Sequence, residues 1–122
     1  PVDDDEKLLP FGEASPGATG LELLLALTLK WAQEQGGATV LSQAIAKITH
    51  EAARIAGLPV GTLGVGAAAD VVLFDPDARW TVESRALASQ GKHTPFLGYE
   101  LAGQVKATIV RGRVAYSRPE QR

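Results

Sequence analysis

The segment from Leu21 to Leu29 sets the strongest constraint on the fold. Leu21, Leu23, Leu24, Leu25, Ala26, Leu27 and Leu29 follow in almost unbroken succession, with Trp31 and Ala32 just beyond. On a helix these residues surround nearly the whole circumference for two turns instead of forming one stripe. A helix that is apolar all round needs packing partners on more than one side. A free domain of 122 residues has difficulty supplying them, whereas a helix lodged inside a larger body does not. A membrane span is excluded, because Glu22 and Lys30 interrupt the run well short of the roughly 18 residues needed.

Around this segment the chain divides in two. Residues 1–18 read as loop, with consecutive acids at Asp3 to Glu6 followed by Pro10, Gly12, Pro16 and Gly17. Thr19 and Glu22 have capping-box spacing, which predicts a helix over 20–35 that stops at Gly36-Gly37. Leu41, Ala44, Ile45 and Ile48 recur at helical spacing and predict a second helix over 40–48. Thr49 offers an N-cap for a third, over 50–56, ended by Gly57. After Pro59 the pattern changes to strands, predicted at 71–74, 79–82, 105–110 and 114–116. The last two form a hairpin, and 84–104 is mostly loop. Helices first and sheet after is the order of an α+β fold, not of alternating βαβ units.

Composition removes several classes of function. A formal net charge of -2 leaves no basic surface for nucleic acid or an anionic membrane. With no cysteine there is no disulfide and no thiolate metal site, which fits a reducing, cytoplasmic setting. The chain opens Pro1-Val2 and contains no methionine, so it is expected to be a piece of a longer protein.

Isolated chemistry-bearing residues are weak candidates. The acids at Asp3 to Glu6 are adjacent, not convergent, and read as a solvated face. His50 has no partner at ligand spacing, and His93 sits in a loop where a structural hydrogen bond is expected. Trp31 and Trp80 read as packing residues. Gly61, Gly64 and Gly66 precede a strand, the wrong order for a dinucleotide-binding turn. No Ser-His-Asp set can be assembled from the sequence.

The stretch Gly61-Thr62-Leu63-Gly64-Val65-Gly66-Ala67-Ala68-Ala69-Asp70-Val71-Val72-Leu73-Phe74-Asp75 resembles the C-terminal signature of the amidohydrolase superfamily. In that superfamily the chain leaves a metal-dependent barrel here and enters a small β-sandwich, through a short apolar strand buried on both faces. Two further stretches are similar to dihydroorotases. One is Gly91-Lys92-His93-Thr94-Pro95-Phe96-Leu97-Gly98, where the family usually has Asn in place of His93. The other is the opening from Pro1-Val2 through Pro16-Gly17 to Leu21-Glu22, similar to the loop after the last barrel strand.

This resemblance implies the C-terminal part of a metal-dependent (β/α)8-barrel hydrolase. Residues 1–57 would be the loop after the last strand and the terminal barrel helices, and residues 58–122 part of the β-sandwich. The family reaction opens dihydroorotate to N-carbamoyl-L-aspartate, with zinc activating water and an aspartate moving the proton. Catalytic groups of a barrel lie at the C-terminal ends of its strands, so every metal ligand would precede residue 1. The chain alone is therefore expected to be inactive, with no catalytic or metal-binding residue. The main chain at Pro16 and Gly17 would border the substrate.

Val2 stands where the family has a histidine that helps hold the substrate carboxylate. Its isopropyl group offers no donor, and an unpaired buried acceptor costs on the order of 1–3 kcal/mol or more. The leading expectation is accordingly a non-catalytic homologue that supports aspartate transcarbamoylase in pyrimidine biosynthesis. An active zinc dihydroorotase stands beside it, with another cyclic amidase, a hydantoinase or allantoinase, third. Strand edges and apolar helix faces without partners predict self-association of the isolated chain.

Overall fold

The computed structural model describes residues 4–36 and 38–119. Four helices come first: α1 (Asp4–Lys7), α2 (Leu24–Gln35), α3 (Ala38–Ile48) and α4 (His50–Ile55). An antiparallel sheet follows in the order β1 (Val71–Thr81), β2 (Glu100–Val110), β3 (Arg113–Ser117). Helices and sheet are segregated along the chain, as the α+β expectation requires.

The helix read from Leu21 onward forms, but its start differs from the capping box. A 3-10 turn at Leu21–Leu23 precedes α2, and the N-terminal position is held by Gly20 with no side-chain cap. Thr19 and Glu22 bond elsewhere, as described below. At the other end the Gly36 N–H reaches the carbonyls of Ala32 and Gln33, which closes α2 where the sequence placed its stop. The predicted loop at 1–18 also contains a helical turn, α1, too short to persist without outside contacts.

α2 packs against β2 on one side and α3 on another. Leu23, Ala26, Leu29 and Ala32 are buried, whereas Leu21 and Leu24 are exposed and Trp31 is 41% exposed. The two-sided packing expected of an all-apolar helix is present. Trp31, expected to pack, is only partly covered. Among the described side chains of α3 the buried ones are small, Ala44 and Ala46. Leu41, Ile45 and Ile48 are only half-buried.

α4 ends in paired hydrogen bonds, Gly57 N–H to Arg54 O at 3.2 Å and Leu58 N–H to Ala53 O at 2.9 Å. This is the Schellman closure that satisfies the last carbonyls of a helix. The chain then returns over the start of α4. A Cβ on Gly61 would lie 2.9 Å from the backbone N and Cα of His50, so a side chain there would force the backbone apart.

The two short strands predicted at 71–74 and 79–82 are one strand, β1, with a break in the middle. Asp75 pairs with Gln104 and Arg79 with Ala102, so Pro76, Asp77 and Ala78 bulge out of the ladder. Pro76 has no N–H to donate to a ladder and is accommodated at this bulge. The Asp75 carboxylate accepts the N–H groups of Asp77 and Ala78, each at 3.1 Å. Those bonds, above all the one from Asp77, hold its carboxyl below the usual range, with Lys106 adding to the effect. β2 begins at Glu100, inside the predicted loop, because residues 100–104 pair with β1. The β2–β3 hairpin turns on Arg111 (φ 49) and Gly112 (φ 76), the two positive angles of a type I′ turn.

The apolar run at the start of β1 is not buried on both faces: Val72 and Leu73 are half-exposed, and residues 61–70 are exposed throughout. The described residues supply no second layer to cover it. The core lies at the other end of the sheet, where Leu23, Ala26, Val82, Leu87 and Leu101 are buried together with Trp80 and Phe96 against them. Each of the buried leucines, and Val82, contributes roughly 1.5–3 kcal/mol. Gly103 lets α2 approach β2 closely, because a Cβ there would overlap the Leu29 side chain. Its carbonyl accepts the Trp80 indole N–H at 3.1 Å, which satisfies the polar edge of that packing residue.

Candidate functional site

The core fixes α2, and α2 in turn fixes the segment before it. Residues 15–22 run into the N-terminus of α2 and are bonded along their length to a second segment, residues 87–93, far away in sequence. The Thr19 N–H donates to His93 O at 2.7 Å, and the Thr19 hydroxyl donates to Gly91 O at 2.7 Å. The Glu22 carboxylate accepts the N–H groups of Ala88 at 2.8 Å and Ser89 at 3.0 Å. Partial burial pushes the Glu22 carboxyl up, but bonds from the Ser89 hydroxyl and the two amides, with the nearby Lys92 charge, outweigh it and hold the group below its usual range. Thr19 and Glu22 thus join two distant segments and do not cap a helix.

On the other flank, α1 braces the same loop. The Lys7 ammonium donates to Ser15 O at 2.5 Å and to Gly17 O at 2.6 Å. The Ser15 hydroxyl donates to the Glu6 carboxylate at 2.7 Å. An ammonium has three donors and no acceptor, so two carbonyls converging on it define a turn around a fixed point.

Between the two segments lies an open cleft of about 480 Å³, lined by Lys7, Gly17, Thr19, Ser89, Gly91 and His93 among others. Its lining is mixed: Ala18, Leu21 and the glycines stand beside Thr19, Ser89, Gln90 and His93, and more of the surface is apolar than polar. It can bind and orient a small molecule through amides and hydroxyls, while the Lys7 ammonium is engaged by the Ser15 and Gly17 carbonyls. Among the described residues that line it, no nucleophile–base pair is assembled.

Of the residues singled out from sequence, Gly17 lines this cleft and Pro16 is exposed beside it. Val2 lies outside the described residues, as does Asp3 of the acidic run. His93 does fix its loop, but through its main-chain carbonyl; its imidazole makes no hydrogen bond among the described residues. His50 is an exposed first-turn residue of α4. Among the described residues no three His, Asp or Glu side chains converge as a metal site would need, and no helix is long and apolar enough to cross a membrane. Sequence reasoning missed Lys7 and Ser15. It noticed Thr19 and Glu22 but assigned them a local partner, because a contact between positions 66 or 72 residues apart leaves no trace in spacing.

Comparison with known proteins agrees with this architecture. The chain is 44% identical over 114 residues to a protein from Geobacter metallireducens named dihydroorotase, and that match covers 93% of this chain and 26% of the relative. The chain therefore spans about a quarter of that relative's length. Among solved structures it superposes on a D-hydantoinase (dihydropyrimidinase) from a Thermus species with a TM-score of 0.82 at 28% identity, over 96% of this chain and 26% of the other. An L-hydantoinase (dihydropyrimidinase) from Arthrobacter aurescens gives 0.75 at 32%, over 89% and 24%. The amidohydrolase family profile matches residues 25–116, from α2 to β3, well over half of the sequence. By that match the chain belongs to the amidohydrolase family.

Proposed function

We propose that this chain is the C-terminal part of a dihydroorotase-like cyclic-amide hydrolase. Residues 1–57 would close a catalytic barrel, and residues 58–122 would build part of a small β-sandwich. The observation that carries the reading is the 44% identity to a dihydroorotase over 93% of the chain. The likeness to two hydantoinase structures supports the wider class of cyclic-amide hydrolysis. In this reading the chain's own contribution is a border for the substrate: the turn at Pro16 and Gly17, held between α1 and the 87–93 segment.

The reaction would add water across the ring amide of dihydroorotate to give N-carbamoyl-L-aspartate, within cytoplasmic pyrimidine biosynthesis. Zinc belongs to this reading of the whole protein. The described residues offer no converging ligand set for it, so no step of the chemistry is drawn through this chain. For the same reason the chain alone is expected to be inactive.

Val2 favours a second reading, in which the whole protein is a non-catalytic homologue that supports aspartate transcarbamoylase, because a valine offers no donor to a substrate carboxylate. The isolated chain would self-associate through exposed apolar residues such as Leu21, Leu24 and Leu63. Zinc content and dihydroorotate turnover of the purified full-length protein decide between the two. Stoichiometric zinc with turnover selects the enzyme. Absence of both, together with complex formation with aspartate transcarbamoylase, selects the scaffold. Turnover of hydantoin alone would replace dihydroorotate as the substrate.

A further inference from the structure

The Lys7 ammonium is shared between two backbone carbonyls in the candidate site, Ser15 O at 2.5 Å and Gly17 O at 2.6 Å. Pro16 sits between them. Proline has no N–H and a fixed φ, so this turn cannot tighten by forming a bond at its own centre. Gly17 takes a φ of 108, a conformation that side-chain-bearing residues rarely adopt. The turn is thus shaped from outside, by the ammonium. The adjacent Glu6 adds a second tie through the Ser15 hydroxyl at 2.7 Å.

The grip has a directional consequence. Every peptide bond described is trans, and in a trans peptide the C=O and the following N–H point opposite ways. Holding Gly17 O against Lys7 therefore aims the Ala18 N–H away from the ammonium. Ala18 lines the cleft, and its N–H has no acceptor among the described residues. Losing Lys7 frees both carbonyls to turn, and the donor turns with them.

We propose that Lys7 is a positioning residue for substrate binding, which acts by fixing the Ser15–Ala18 main chain at the mouth of the cleft. This rests on the reading that the 16–17 turn borders the substrate. Lys7 would not touch the reacting atoms, so its loss should weaken ground-state binding far more than the chemical step.

The test uses the full-length protein with its metal. Lys7→Met keeps the length and removes the donors, whereas Lys7→Arg restores a cation that can reach two carbonyls. The expected result for Lys7→Met is a KM for dihydroorotate raised about 10-fold, equivalent to roughly 1.4 kcal/mol, with kcat within about threefold. Lys7→Arg should recover most of the loss. Hydrogen exchange should quicken across residues 14–20 in Lys7→Met and stay unchanged across 100–117. An unchanged KM overturns the proposal, and so does a uniform loss of protection that includes the sheet, since either makes Lys7 dispensable or merely structural. If the wild-type protein neither binds nor turns over dihydroorotate, the functional reading is what fails. Exchange then judges the brace alone: loosening confined to 14–20 upholds it, and no loosening overturns it.

Discussion

Gly103 is the point at which the α2–β2 packing is most exposed to a single atom. It lies in β2 with φ 97, is buried, and faces α2; a Cβ would overlap Leu29 Cδ1 and sit 3.8 Å from Ala26 Cα. Gly103→Ala therefore carries two separate costs. The positive φ costs about 1–2 kcal/mol for any residue with a Cβ. Displacing Leu29, itself only 2% exposed, from a filled space costs about 1–3 kcal/mol. The sum is roughly 2–5 kcal/mol of destabilisation, opposite in sign to the ~0.4–1 kcal/mol gain of a Gly→Ala change at an unstrained site.

The two parts separate in a double-mutant cycle. Leu29→Ala alone should cost about 2–5 kcal/mol as a buried truncation. In that background the overlap is gone, and Gly103→Ala should cost only the backbone part, about 1–2 kcal/mol. Urea denaturation of the full-length protein and its variants gives each free energy from the midpoint shift at constant slope. A cost for Gly103→Ala below about 1 kcal/mol, or an equal cost with and without Leu29, would refute the argument that this glycine exists to admit α2.

Two further outcomes are expected. Glu22 has a carboxyl held below its ordinary value of 4.5, so its stabilising effect is complete above that pH and is lost as pH falls through the lower folded-state value. The stability gap between wild type and Glu22→Gln should therefore be constant from neutral pH to about 5 and narrow below it; a gap independent of pH between 3 and 7 would contradict the clamp. Arg111 holds a φ of 49 in the hairpin turn, with its N–H on the Asp70 carboxylate at 2.7 Å. Arg111→Gly removes a left-handed penalty of about 1–2 kcal/mol and adds unfolded-state freedom, for a net gain of up to about 1 kcal/mol. Thermal unfolding should show a raised midpoint, and a lowered one would show that the arginine side chain matters more than its backbone.

The elements themselves were legible wherever local chemistry decides. The all-apolar run from Leu21, the stop at Gly36, the close of α4 at Gly57 and the Arg111-Gly112 turn are local signals, and the structure follows them. So does the separation of helices from sheet. Family membership was also readable, because the Gly61 to Asp75 stretch is a contiguous pattern within the matched region.

What only the tertiary structure decided is where the polar groups go. Thr19 and Glu22 have the spacing of a cap, yet each finds a stronger arrangement across the chain, in the backbone of 88–91. Asp75, Pro76 and Asp77 look like a strand end, yet pairing with β2 carries the strand past them as a bulge. Lys7 looks like one more charge in a solvated opening, and folding sets it on two carbonyls. Periodicity and turn chemistry act over a few residues, so sequence records them directly. A hydrogen-bonding group buried or half-buried on folding takes whichever partner the packing of distant segments brings within about 3 Å, and that choice exists only once α2 has docked on β2.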